Sequence, residues 1–221
     1  LVKKYGYSLN EIKKDNIKNI FIADIKIAKD SPSNIINSIS LGLLSFKKQL
    51  LKLKPDIILY LGDRYELIPI ALTSYFLNIP SFHLHGGEKT IGSDDDVFRH
   101  TVTKLSDVHF VANNIYKKRV MQLGENPKNI YNVGSLSIEN INKLSLFTIN
   151  EIIHKTKINH LIKNKYFLVI FHPYKGTKKH ILKNLDIFLN ALLFFHNKIL
   201  IFTYPNHDVN SDAVIKKQKN F

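Results

Sequence analysis

Apolar residues fall into six short runs separated by longer amphipathic stretches. The runs are Asp56–Leu61, Ser81–Leu84, Val108–Val111, Ile130–Val133, Tyr166–Phe171 and Ile199–Tyr204. Each is short, nearly continuous and bounded by turn or polar residues, the pattern of a strand buried in a parallel sheet. The stretches between them carry helical spacing. Ser33 is the predicted cap of a helix reaching Leu53, with apolar residues at Ile36, Ile39, Leu43, Leu44, Phe46 and Leu50. Further helices are predicted from Tyr65 to Leu77, from Asp94 to Leu105 under a Ser93 cap, and from His180 to Phe195. Another starts at the Asn113 cap and stops at Gly124. Strands alternating with helices predict βαβ units and an α/β fold with parallel sheets. The stretch 141–165 lacks a strand and is rich in Lys and Asn. It marks a junction between two α/β domains, residues 1–150 and residues 151–221, the second incomplete.

In open α/β sheets ligands bind beyond the carboxyl ends of the strands. The residues there are Gly62-Asp63-Arg64, His85-Gly86-Gly87-Glu88, Ala112-Asn113, Gly134-Ser135, His172-Pro173 and Pro205-Asn206-His207-Asp208. Polar and glycine residues thus gather on one edge, which marks it as the candidate site. Asp63 reads either as a site carboxylate or as the cap of the following helix. His83 and His85 share one strand face. With Glu88 they could form a zinc trio, or His83 could be a satisfied core histidine with His85 facing the site. In Ser93-Asp94-Asp95-Asp96-Val97-Phe98-Arg99-His100, three carboxylates complement the dipole of a helix start. The same run sets Asp95 against Arg99 and Asp96 against His100 at i,i+4, so an Arg-oriented carboxylate could serve as a base.

Composition narrows the classes. The 221 residues contain no Cys, which excludes a disulfide scaffold and a Cys nucleophile. No apolar run reaches the roughly 18–20 residues of a membrane span, so no membrane partner and a cytoplasmic setting are expected. The net charge of +14 raises nucleic acid as a partner. Of the 32 basic residues, however, only Arg64, Arg99 and Arg119 are Arg, and the lysines are scattered in pairs. That argues against nucleic acid and draws attention to the three guanidinium forks. The chain opens on Leu1 and stops at Phe221 within a basic helical pattern, so a piece of a longer protein is expected.

In order along the chain, these motifs resemble a known family. Leu61-Gly62-Asp63-Arg64-Tyr65-Glu66, the segment Asn78-Ile79-Pro80 through Glu88, and Asp95-Asp96-Val97-Phe98-Arg99-His100-Thr101-Val102-Thr103-Lys104 are similar to signatures of the hydrolysing UDP-N-acetylglucosamine 2-epimerases of sialic-acid-type biosynthesis. So are Tyr116 through Gly134, Phe171-His172-Pro173, and Phe202 through Asn206. The resemblance implies a GT-B-like fold of two Rossmann-like domains, here incomplete at both ends. It implies a nucleotide-sugar substrate, no metal and no cofactor, and a homo-oligomer for the complete protein. It also implies elimination of UDP across C1–C2 followed by addition of water, giving ManNAc from UDP-GlcNAc.

Carried over by position, the resemblance puts Asp63 on a catalytic aspartate and Asp95 on a catalytic acid, with Asp94 and Asp96 left open beside it. Arg99 falls on the neighbouring arginine and His172 on the second domain's catalytic histidine. At His85 relatives carry either Glu or a His followed by Gly-Gly-Glu, so His85 and Glu88 both stand as acid/base candidates. Arg64, Gly86, Gly87, His100 and Asn206 are the implied substrate contacts. Rival readings are a 2-epimerase of a UDP-2,4-diacetamido-trideoxyhexose, a non-hydrolysing epimerase, a GT-B glycosyltransferase and a non-catalytic binder.

Overall fold

The computed structural model describes residues 9–25, 31–158, 165–174, 176–205 and 210–221. The chain divides into two compact units, Leu1–Ile141 and Asn142–Phe221. In the first, α1 (Leu9–Lys14) and α2 (Pro32–Leu53) precede β1 (Ile58–Leu61), α3 (Leu67–Phe76), β2 (Ser81–Leu84), α4 (Asp95–Lys104), β3 (Val108–Val111), α5 (Asn114–Gln122) and β4 (Ile130–Asn132). The division falls within α6 (Leu136–Lys143). The second unit holds α7 (Ile149–Thr156), β5 (Tyr166–Val169), α8 (Lys178–Leu192), β6 (Ile199–Phe202) and α9 (Ser211–Lys219).

Both sheets are parallel, as predicted: β1-β2-β3-β4 in chain order, and β5 paired with β6. Each crossover steps to the next strand in the same direction. Right-handed connections of that kind put α3, α4 and α5 on a single face of the sheet. Ile58 and Tyr60 of β1 pack there with Leu50 of α2, Ala71 of α3 and Val102 of α4. Val111 and Ile130 pack with Val120 of α5. In the second unit Val169 packs with Ile181, Leu185 and Leu189 of α8 and Val214 of α9.

The strands were expected to be buried on both faces, and here they differ. Ile58 and Tyr60 are buried while the alternating Leu59 and Leu61 are exposed. Tyr131, Val133, Leu168 and Ile170 are exposed as well. Apolar surface left exposed on a sheet face favours association. The isolated 221-residue chain is therefore expected to bind the dye ANS and to sediment above its 25.5 kDa monomer mass. A monodisperse, ANS-silent monomer would contradict this.

Helix boundaries shift in informative ways. Ser31, not Ser33, caps α2: its Oγ accepts from Asn34 N at 3.3 Å. Pro32 suits the first helical position, and the residue before a proline is pushed to extended geometry, which a cap requires. Asn113 caps α5 by accepting from Tyr116 N at 3.0 Å, as predicted.

Candidate functional site

β1 ends at Leu61, and Gly62 turns the chain at a φ of +97° that favours glycine. Asp63 follows. It is not a helix cap, because α3 starts only at Leu67 with Glu66 in the cap position. Its carboxylate instead meets Arg99, which reaches it from α4 across 36 residues of sequence.

Arg99 is the hub of the site. Its side chain is only 2% exposed. Nη2 donates to Asp63 Oδ2 and, at 3.2 Å, to Thr90 Oγ1. Nη1 donates to Asp96 Oδ1 at 2.7 Å and to the Glu88 carbonyl at 2.9 Å. One planar fork thus fixes the turn after β1, the loop after β2 and the first turn of α4. The i,i+4 partner expected from spacing, Asp95, is not the one used. Asp96, at i,i+3, is, and it also accepts from Thr90 N at 2.7 Å.

The loop after β2 carries a second pair. His85 Nδ1 and Glu88 Oε1 are 2.6 Å apart, with the side chains 18% and 31% exposed. His85 holds a φ of +65°, a left-handed conformation that is uncommon for a residue with a side chain. Such local cost is tolerated where the surroundings fix the geometry. Here His85 N donates to the Phe110 carbonyl at 2.9 Å.

The glycines between this pair are packed against protein. A Cβ on Gly86 would lie 3.2 Å from Thr103 Oγ1 and 3.3 Å from His83 Nδ1. On Gly87, at φ +75°, it would lie 2.5 Å from the Tyr116 carbonyl oxygen and 2.8 Å from Val120 Cγ2. The Gly87 carbonyl in turn accepts from Arg119 Nη1, and the Arg119 guanidinium sits over the Tyr116 ring, 5.6 Å from its centroid. Gly87→Ala combines left-handed strain with a backbone clash and is expected to cost about 2–4 kcal/mol. A urea midpoint unchanged from wild type would show that α5 can yield there.

Two histidines lie behind the loops. His83 is fully buried, with Nε2 2.8 Å from the Gly62 carbonyl and Nδ1 3.0 Å from Thr103 Oγ1. Burial pushes its pKa down to about 4. His100, beside Arg99, is also held below its ordinary value, chiefly by burial. The unfolded chain takes up protons on these rings near 6.5, the ordinary histidine value, while folded His83 stays neutral until about 4. Stability is therefore fully present above about pH 6.5 and falls as pH drops toward 4. His83 alone accounts for about 3 kcal/mol of that fall. Urea midpoints measured from pH 7 to pH 4 should show this, and His83→Gln should flatten the slope. An equally steep slope in that variant would rule His83 out as the source.

Arg64 Nε sits 3.6 Å from Glu66 Oε2. Asp95 stands in the first turn of α4 with its backbone N–H on Ser93 Oγ at 3.2 Å. His172 is exposed in the second unit, beyond the end of β5. Asn206 lies outside the described residues.

The profile of the UDP-N-acetylglucosamine 2-epimerase family matches residues 3–221. The chain belongs to this family. It is 39% identical over 218 residues to the polysialic acid biosynthesis protein P7 of Escherichia coli, covering 98% of this chain and 55% of that protein. It is 34% identical over 224 residues to the GDP/UDP-N,N'-diacetylbacillosamine 2-epimerase (hydrolyzing) of Campylobacter jejuni, covering 100% of this chain and 57% of that enzyme. Among solved structures it resembles the UDP-GlcNAc 2-epimerase of Neisseria meningitidis bound to UDP-GlcNAc. The TM-score is 0.78 at 17% identity, over 95% of this chain and 58% of the other. The chain thus spans about half the length of the curated relatives it matches. The likeness bears out the GT-B-like α/β fold expected from the motifs.

Within this epimerase-family chain, sequence reading missed Thr90, Thr103 and the task of Arg119. The scarcity of Arg was the available signal for the last. Two of the three arginines, Arg99 and Arg119, bind backbone carbonyls of the loop after β2. Thr90 and Thr103 carried no signal, because their partners lie far off in sequence or on another element.

Proposed function

We propose that the complete protein is a hydrolysing 2-epimerase that converts UDP-GlcNAc to ManNAc and UDP. A base removes the C2 proton while the C1–oxygen bond to UDP breaks on the opposite face, leaving a glycal. Water then adds its hydroxyl to C1 and a proton returns to C2 with inverted configuration. The reaction needs positioned proton carriers and a fixed charge arrangement around an electron-poor C1. The supporting observation is the convergence of Asp63 and the His85–Glu88 loop on the one buried guanidinium of Arg99 at a carboxyl edge of a parallel sheet.

Asp63 acts as a proton carrier under this reading. Glu88 accepts from His85 Nδ1–H, which leaves His85 Nε2 to exchange a proton with substrate, so His85 acts and Glu88 orients it. Asp95 and His172 complete the catalytic set. Arg64, Gly86, Gly87, His100 and Asn206 contact the nucleotide sugar. The units correspond to a sugar-facing N-terminal domain and the start of a UDP-binding C-terminal domain.

The 34% identity to the Campylobacter jejuni enzyme favours a second reading, the same reaction on a UDP-2,4-diacetamido-trideoxyhexose. Incubating the complete protein with each UDP-sugar and identifying products by NMR decides between them. Free ManNAc and UDP are expected from UDP-GlcNAc. Turnover of the diacetamido sugar alone would establish the second reading, and UDP-ManNAc as product would overturn hydrolysis.

A further inference from the structure

We propose that His83 is a positioning residue for Asp63, holding the turn after β1 against α4 by a hydrogen bond at each of its ring nitrogens, Nε2 donating and Nδ1 accepting. Gly62 O accepts at 2.8 Å, which requires a proton on Nε2. Nδ1 is then the acceptor, and Thr103 Oγ1, 3.0 Å away on α4, is its donor. One imidazole therefore links the peptide immediately before Asp63 to the helix that carries Arg99, the partner of the Asp63 carboxylate. Asp63 is fixed twice, by its side chain through Arg99 and by its backbone through His83.

The chemistry of the bridge depends on a neutral ring. A protonated Nδ1 would turn a donor against the Thr103 hydroxyl, forcing it to rotate. Full burial and the neighbouring His109, in register on β3, both disfavour that charge. The ring is also crowded from the loop side, where a Cβ on Gly86 would press on both His83 and Thr103. His83 cannot reach a substrate from this position, so it acts only through Gly62 and Asp63.

The proposal rests on the reading of Asp63 as a proton carrier. Two variants of the complete protein separate the two ends of the bridge. Glutamine places an N–H donor near the Nε2 position and keeps the bond to Gly62. Asparagine places its amide near the Nδ1 position and keeps only the Thr103 side. His83→Asn is expected to lower kcat on the accepted UDP-sugar about 10–10²-fold with little change in KM, the scale of a misplaced catalytic group. His83→Gln is expected to recover most of that loss. The ¹³C resonance of the Asp63 carboxyl should move in the Asn variant and stay near its wild-type position in the Gln variant.

Equal turnover in the two variants, or a loss carried by KM alone, would overturn the proposal. Should the wild type turn over neither sugar, the proposed function falls, and the Asp63 resonance alone then decides the positioning role. If that resonance is the same in wild type and both variants, the proposal is wrong.

Discussion

Under the proposed reaction, Asp63→Asn in the complete protein is expected to cut turnover about 10²–10⁴-fold, the loss that follows removal of a positioned proton carrier. The side chains are the same size, and the Asn carbonyl can still accept from Arg99 Nη2, so the turn after β1 keeps its geometry. The lost feature is the ability to hold a proton. Because Arg99 also binds Asp96, the guanidinium is not left uncompensated. The urea midpoint should therefore move little, and the loss should appear in kcat more than in KM. Asp95→Asn is a sharp companion, since Asp95 makes no ion pair with Arg99. A fall in turnover there would report chemistry rather than a broken network. Wild-type turnover in Asp63→Asn would remove Asp63 from the mechanism.

Much of the fold was legible because its signals are local. Runs such as Phe82-His83-Leu84 between turn residues, and the Asn113 cap, are decided within a few positions. The short α1 was missed because six residues carry too little periodicity to stand out. The exposed face of β1 was not legible, since Leu59 and Leu61 are as apolar as the buried Ile58 and Tyr60. Which face is covered depends on where the crossovers go, not on the strand itself.

The site divides the same way. The residue types and their place after β1 and β2 could be read from motif order. The pairing could not, because local spacing offers Arg99 the nearby Asp95, whereas the fold delivers Asp63 from 36 positions away. The His83 bridge was half visible as a satisfied core histidine. Its carbonyl partner is set by the parallel register of β1 and β2, and its hydroxyl partner by where α4 lies against β2.

Replacing Arg99 by Met should have the largest effect on stability, a loss of about 3–5 kcal/mol. Methionine fills the buried volume but supplies no donors. Asp63 and Asp96 are then left as neighbouring carboxylates without a cation, and the Glu88 carbonyl and Thr90 hydroxyl lose their partner. Most of the loss comes from those stranded acceptors rather than from the missing attraction itself. This account makes a second variant decisive. Adding Asp63→Asn and Asp96→Asn to Arg99→Met removes both uncompensated charges and should return part of the stability. Arg99→Lys should fall between, because one ammonium cannot span acceptors on three separate segments as a planar fork does. The measurement is the urea midpoint of the complete protein for each variant at constant pH. A triple variant no more stable than Arg99→Met would show that packing, and not electrostatic compensation, is what Arg99 provides.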